Sequence, residues 1–263
     1  MNTEHEVEYD DEHIGFLEAL WGEGYLSPGG PVEIREVLRD VDLRGARVLD
    51  LGCGSGGITL ALARDHGAGE VIGVDVEAPV LEHARKRAAS DGLTDRVEFI
   101  QIPPGKLPFP DEDFDIVFSK DAMVHIADKE GLFADLFRLL RPGGCLAASD
   151  WLISHDDEPS DAMKQYLEQE GLSFGMASPA RYRSALEGAG FTDVVLTNRN
   201  PWYQEVARRE LAALEGDLYQ RAARAGSREL VDHNIGTWRA MITVLDLGEH
   251  CPHHLHGRKP DAA

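Results

Sequence analysis

From Ala46 onward the chain alternates between two hydrophobic rhythms. Short apolar runs, RVLDLG from Arg47, EVIGVDV from Glu70, RVEFIQI from Arg96, FDIVFS from Phe114 and CLAASDW from Cys145, read as strands buried on both faces. The segments between them, ITLALARDHG, LEHARKRAAS and LFADLFRLLRPGG, space their apolar residues three or four apart and read as amphipathic helices. Strands alternating with helices predict an α/β fold, a doubly wound parallel sheet with right-handed crossovers. FTDVVLT from Phe191 reads as a sixth strand and MITVLDL from Met241 as the last. Upstream, Ile14, Leu17, Leu20 and Trp21 share one side of a helix over 13–22, and Pro31 opens a second helix through about Leu38. Residues 157–190 read as helices, one of them capped by Ser178 and started by Pro179, and 201–240 as mostly helical.

Composition narrows the function classes. No apolar run approaches the ~20 residues needed to cross a bilayer. The N-terminal stretch MNTEHEVEYDDEH is acidic and has no hydrophobic core, so it is not expected to be a signal peptide. Three scattered cysteines, Cys53, Cys145 and Cys251, form no disulfide framework, and a cytoplasmic setting is expected. Lys and Arg number 26 against 47 Asp and Glu, for a formal charge of -21. Such a surface repels phosphate backbones and anionic lipid, which argues against nucleic-acid and membrane partners and favours small cations and amines. A monomer or a homodimer fits equally well.

The first strand leads into Asp50-Leu-Gly52-Cys-Gly54-Ser-Gly56-Gly57. Gly52, Gly54 and Gly57 satisfy G-x-G-x-x-G between a strand and a helix, where glycines permit a tight turn and close ligand approach. Asp75 ends the second strand, at about the ~20-residue separation expected of a carboxylate that takes ribose hydroxyls. A nucleoside cofactor follows, either a dinucleotide or one bearing an amino-acid group. Asp50, two residues before Gly52, would hinder a pyrophosphate but suit an ammonium.

Beyond the fourth strand, VFSKDAMVHI places Asp121 and His125 four residues apart, on one face if a helical turn forms. In open α/β sheets ligands bind past the carboxyl ends of the strands, so this pair belongs near the reacting centre. Histidine is suited to taking a proton near neutral pH, and a nearby carboxylate orients a cation. Either residue also reads as ordinary structure, Asp121 as a helix N-cap and His125 as a packed imidazole.

The spacing Asp-Leu-Gly-Cys-Gly-Ser-Gly, with LPFPDEDFDIVFS and LLRPGGCL further on, resembles class I S-adenosylmethionine-dependent methyltransferases over about residues 46–150. The resemblance implies a Rossmann-like, seven-stranded sheet, with residues 1–45 as an N-terminal helical lid and 46–263 as the methyltransferase domain. Helical cap insertions are expected at about 152–190 and 200–240. It implies S-adenosylmethionine as cofactor and S-adenosylhomocysteine as product. Asp50, Gly52, Gly54, Gly56, Asp75, Val76 and Ser119 are the implied contacts. Where the family often holds adenine with an aspartate, this chain has Pro103, so the main chain at Ile102 is the expected substitute.

FSKDAMVHI together with WGEGYLSPGG narrows the likeness to phosphoethanolamine N-methyltransferases, and to sarcosine/dimethylglycine N-methyltransferases. It implies N-methylation of a small-molecule amine of the betaine- or choline-precursor type, expected to carry an anionic end, a proton-managing dyad of His125 and Tyr9, Asp121 holding the amine, and Tyr25, Leu26 and Ser27 touching the cofactor from the lid. The phosphate-binding part departs. Glu170 and Leu172 stand where an arginine and a tyrosine are expected, and Trp151 replaces a tyrosine. The Ser-Pro-x-x-Tyr-Arg stretch around Arg181 and Arg183 is similar to the betaine-forming enzymes, and those two arginines are candidates for a substrate carboxylate. Trp151, Trp202, Tyr203 and Trp238 are candidates for an ammonium pocket through cation–π contacts, and each also reads as packing. O- or C-methylation of a small metabolite, and a non-catalytic S-adenosylmethionine-binding module, remain alternatives. His250, Cys251, His253, His254 and His256 crowd the tail, but their spacing matches no metal motif, and no metal is expected.

Overall fold

The computed structural model describes residues 9–262. Seven strands form one sheet: β1 (Arg47–Leu51), β2 (Glu70–Asp75), β3 (Val97–Gln101), β4 (Phe114–Lys120), β5 (Leu140–Asp150), β6 (Thr192–Asn198) and β7 (His253–Arg258). Their order is β3-β2-β1-β4-β5-β7-β6, parallel except for β7, which runs antiparallel to both β5 and β6. The order reverses between β1 and β4, and the crevice beyond that point is where such sheets bind ligands.

The helices are α1 (Asp11–Trp21), α2 (Gly30–Val37), α3 (Gly57–Arg64), α4 (Ala78–Ser90), α5 (Lys129–Leu139), α6 (Asp161–Glu170), α7 (Pro179–Ala189), α8 (Asn200–Leu214), α9 (Tyr219–Ala225) and α10 (Arg228–Asp246). The Ser178 hydroxyl accepts from the Arg181 N–H at 3.0 Å, capping α7 as its sequence predicts. One apolar cluster packs around Val117, Phe133 and Leu146, and a second around Val48, Leu60 and Phe118. A third, around Phe16, Tyr166, Trp238 and Met241, joins α1, α6, α8 and α10 into a helical layer over the strand ends.

Two strand expectations are corrected. MITVLDL is the end of α10, where Trp238, Met241, Val244 and Leu245 are buried at helical spacing with Val231 and Ile235. The seventh strand is the histidine-rich HHLHGR instead. Its polar rings have partners: buried His253 Nδ1 donates to the Cys251 carbonyl at 2.6 Å and half-buried His256 Nε2 to the Val37 carbonyl at 2.6 Å. Strand β5 also begins earlier than expected, absorbing the Arg-Pro-Gly-Gly turn, with an irregular register against β4 between Phe114 and Ile116.

Polar links fix the N-terminal helices to this frame. The Glu18 carboxylate of α1 accepts from Ser55 Oγ at 2.8 Å and from Arg87 at 2.9 Å, pinning α1 to the glycine turn. Glu33 of α2 is fully buried and takes His254 Nε2 at 2.6 Å and Arg199 at 2.8 Å. Burial alone would raise the Glu33 pKa, but the hydrogen bonds and charges of His254 and Arg199 outweigh it and hold the carboxyl low.

Candidate active site

A cavity of about 770 Å³ opens at the carboxyl ends of β1, β2, β3 and β4. That size suits a nucleoside-bearing ligand. Leu51, Gly52 and Gly54 follow β1 into it, Asp75 and Val76 end β2, and Ile102 to Leu107 follow β3. Gly52 has φ +72°, and a Cβ there would lie 2.2 Å from the Ala122 Cβ, so only glycine lets the turn pass so close to the segment after β4.

Asp75 takes the Gly54 N–H at 2.9 Å and the Glu77 N–H at 3.0 Å. These two donors leave carboxylate lone pairs at the cavity wall for a ligand hydroxyl. Burial raises the Asp75 pKa. Carboxylate, glycine cradle and apolar walls together match the chemistry of a nucleoside with vicinal hydroxyls.

Several predicted contacts lie elsewhere. Asp50 is 1 % exposed behind the turn, where it accepts from Thr59 Oγ1 at 2.6 Å and its pKa is pushed by burial to about 7. It does not line the cavity, because its side chain faces α3 rather than the strand ends. Gly56 is the N-cap of α3 and packs on Ala84. Ser119 Oγ donates to the Leu51 carbonyl at 2.9 Å and ties β4 to β1. The Ile102 N–H is spent on the Asp75 carbonyl at 3.0 Å, so only the rest of that residue meets the cavity. Tyr25 packs with the core beside β1 and β2, whereas its neighbours Leu26 and Ser27 line the cavity.

The far end of the cavity is walled by Tyr9, Ser27, Lys120, Asp121 and His125. Asp121 and His125 do not share a regular helix. Asp121 has φ +56°, and a 3₁₀ turn, Met123–His125, follows it. Asp121 is therefore not a helix N-cap. Its carboxylate accepts from the Lys120 ammonium, from Ser149 Oγ at 3.0 Å and from the Tyr203 hydroxyl at 3.3 Å. The Lys120 ammonium also donates to Ser27 Oγ at 2.9 Å. Lys120 had no sequence signal: it is a lysine at the end of an otherwise apolar strand, 5 % exposed.

A smaller cavity of about 80 Å³ adjoins the first and shares Tyr9, Leu26, Ser27, Asp121 and His125 with it. Trp151, Glu170 and Trp238, all predicted, line it, and so do Trp21 and Phe174, which were not. The His125 ring meets Phe174 edge-on at 5.3 Å. Trp202 is not at the cavity but lies against Gly29 with the Arg199 guanidinium 5.2 Å above its ring. Tyr203 lines neither cavity and meets the site through Asp121, to which its hydroxyl donates at 3.3 Å. Arg181 pairs with Glu130 at 2.8 Å and Arg183 with the Val194 carbonyl at 2.9 Å, both outside the two cavities. They face solvent on α7, so neither meets a ligand in either cavity.

A sheet of this order with a glycine turn at its switch point and a carboxylate closing β2 defines a methyltransferase-type α/β domain. The family model described as a methyltransferase domain matches residues 42–190, and the chain belongs to that family. Among curated proteins it is 32% identical over 237 residues to phosphoethanolamine N-methyltransferase 1 of Arabidopsis thaliana, covering 90% of this chain and 47% of the relative. The chain spans about half the length of the curated relatives it matches first. A solved structure of Haemonchus contortus phosphoethanolamine N-methyltransferase 2, with phosphomonomethylethanolamine and S-adenosylhomocysteine bound, superposes with a TM-score of 0.89 at 26% identity, covering 97% of this chain and 59% of that one. A Galdieria sulphuraria protein described as a putative sarcosine dimethylglycine methyltransferase shares the fold, with a TM-score of 0.82 at 20% identity, covering 96% and 98% of the two chains. No helix among the described residues is long and apolar enough to cross a membrane.

Proposed function

We propose that this protein is an S-adenosylmethionine-dependent N-methyltransferase of a small-molecule amine. The observation that carries the reading is the meeting of the two cavities at Tyr9, Asp121 and His125, with the nucleoside cradle on one side and an aromatic chamber on the other. The relatives named above support the amine as acceptor. Gly52, Gly54 and Asp75 would hold the cofactor, with Asp75 on the ribose hydroxyls. S-adenosylmethionine held there would supply an electrophilic methyl on a sulfonium, the bonding pair remaining on sulfur.

The chain's own residues supply alignment and proton handling. An alkylamine is mostly protonated near neutral pH and has no lone pair to offer until it loses a proton. His125, at the junction, takes that proton, and Tyr9 beside the same junction completes the dyad. Asp121 already accepts from Lys120, Ser149 and Tyr203, so its part is to fix the floor of the site and hold one anionic charge there, rather than to wrap the amine by itself. Ser27 and Leu26 close the junction from the N-terminal lid, and the helical layer of α6, α8 and α10 is the cap. Alignment of the two reactants supplies the rest of the acceleration. The acidic surface and three free cysteines support a cytoplasmic enzyme acting on a free metabolite, as a monomer or a homodimer.

The test is S-adenosylhomocysteine release with a panel of amines, run on wild type and His125→Ala. Methylation of an amine, cut ~10²-fold or more in the variant at saturating acceptor, is the expected result. Full turnover in His125→Ala rejects the base. Methylation only of phenols or carbon acids replaces the amine reading.

A further inference from the structure

Among the described residues, the smaller cavity has no lysine or arginine in its lining. Its carboxyl groups are Asp121, shared with the main cavity, and Glu170 at the end of α6. Its two imidazoles away from the junction are engaged: His233 Nε2 meets the Gln169 carbonyl at 2.7 Å, and His13 Nδ1 lies 3.5 Å from Asp10. The remaining lysine of the junction, Lys120, is held by Asp121 and Ser27. A phosphate or carboxylate placed here would find no cation to pair with and a carboxyl group facing it.

The walls suit the opposite charge. Trp21 of α1 and Trp238 of α10 stand 6.0 Å apart, tilted by 37°. Both indole N–H groups donate to one carboxylate, Trp21 to Glu210 Oε1 at 2.7 Å and Trp238 to Glu210 Oε2 at 3.1 Å. That clamp fixes the two rings and draws positive charge out to their edges, which leaves their faces more negative. Trp151 lines the same cavity, edge-on to Phe174 at 5.9 Å. Indole faces around a carboxylate attract a cation by charge and by the ring quadrupole together.

Given the N-methyltransferase reading, we propose that the acceptor is a small diamine: one nitrogen takes the methyl beside His125, and the second, an ammonium, lies between Glu170 and the indoles of Trp151 and Trp238. Glu170 is then the residue that selects against acceptors with an anionic end. Burial pushes its pKa to about 7, with the Tyr166 hydroxyl partly offsetting the rise. A bound ammonium draws that proton off, so diamine binding releases a proton and strengthens from pH 6 to pH 8. The other ionisable groups facing the chamber are Asp121, His13, His125, His233 and Tyr9.

The experiment titrates S-adenosylhomocysteine-loaded protein with 1,3-diaminopropane, ethanolamine, phosphoethanolamine and dimethylglycine. Tryptophan fluorescence and calorimetry are the readouts, on wild type, Glu170→Gln and Glu170→Arg. The diamine should bind wild type at least tenfold more tightly than the other three. Glu170→Gln should weaken it ~10-fold or more with S-adenosylhomocysteine affinity unchanged, and Glu170→Arg should reverse the preference toward phosphoethanolamine. Tighter binding of any of the other three amines to wild type, or an unchanged diamine affinity in Glu170→Gln, overturns the inference. Binding is read without turnover, so failure of the methyl transfer itself is seen separately, as no product from an amine that does bind.

Discussion

The Lys120 ammonium donates to the Ser27 hydroxyl at 2.9 Å and, on its other side, to the Asp121 carboxylate. One buried cation thus joins the N-terminal segment to the floor of the junction. Its side chain is 1% exposed and that of Asp121 2%. Removing one partner of such a pair strands a buried charge, at a cost of about 3–5 kcal/mol. Lys120→Met is therefore expected to lower the unfolding free energy by about that much in denaturant titrations. Lys120→Met with Asp121→Asn should recover most of it, because no charge is left alone. The double variant still lacks the Ser27 contact, so its turnover should stay low while its stability returns. Equal stability of the single and double variants would show the pair to be uncoupled.

The glycine turn divides into two kinds of position. A Cβ on Gly52 meets the Ala122 Cβ at 2.2 Å, a short side chain with no room to move. A Cβ on Gly54 meets the Leu26 Cδ1 at 3.0 Å, the far end of a flexible chain. Both have positive φ, 72° and 51°, so each alanine carries about 1 kcal/mol or more of left-handed strain. Gly54→Ala is expected to stop near that cost and bind S-adenosylhomocysteine roughly tenfold more weakly. Gly52→Ala should lose measurable binding, because the segment carrying Asp121 must shift. Calorimetric titration of the two variants gives the comparison, and similar affinities would contradict it.

Much of this frame is legible in the chain because the signals are local. Alternating apolar runs and helical stripes set out β1 to β6, and the Gly52–Gly54–Asp75 spacing set out the cradle. Residues whose roles depend on distant partners carry no such signal. Trp21 and Trp238 meet on Glu210, separated by 189 and 28 residues from it. Strand β7 is unreadable because His253, His254 and His256 are polar by type, and the distant partners Glu33 for His254 and Val37 for His256, with the nearby Cys251 carbonyl for His253, are what suit them to the interior. MITVLDL failed for the opposite reason. Its apolar residues satisfy a short strand and the end of a long helix alike, and contacts with α6 and α8 decide it.

Arg181 and Arg183 tempt a carboxylate-binding assignment, yet both are surface residues of α7. Arg181 holds Glu130 with side chains 38% and 57% exposed, a pair worth at most about 1 kcal/mol. Alanine at either position is expected to leave KM for the amine within about twofold and stability within about 1 kcal/mol. Steady-state kinetics on the two variants decide the point. A large KM rise in either one would mean that α7 closes over the acceptor in a way this arrangement does not show.

Four buried acids make stability depend on pH in an unusual direction. Burial raises Asp50, Asp150, Glu170 and Glu210 each to about 7. Partners offset part of each rise, Thr59 for Asp50, Lys129 and Tyr182 for Asp150, Tyr166 for Glu170, Trp21 and Trp238 for Glu210. Unfolded, these groups ionise near 4. Between pH 4 and pH 7 the folded chain therefore holds protons that the unfolded chain has released, and stability falls as pH rises through that window and just beyond. His250, pushed down to about 4 by burial, works the other way, but only up to about pH 6.5, where the unfolded imidazole also loses its proton. From pH 6.5 to pH 8 the four acids outweigh the fading opposition of His250 and of His66, His253 and His256, which burial also lowers, together with that of Lys129, lowered by burial to about 8. Thermal unfolding should accordingly give a lower Tm at pH 8 than at pH 6.5. Glu210→Gln removes one of the four titrations and should flatten the decline, because an amide has no proton to lose, whatever it does to Tm at any single pH. A Tm that rises over this interval, or a slope unchanged in Glu210→Gln, would mean that these carboxyls ionise in the folded protein as freely as in water.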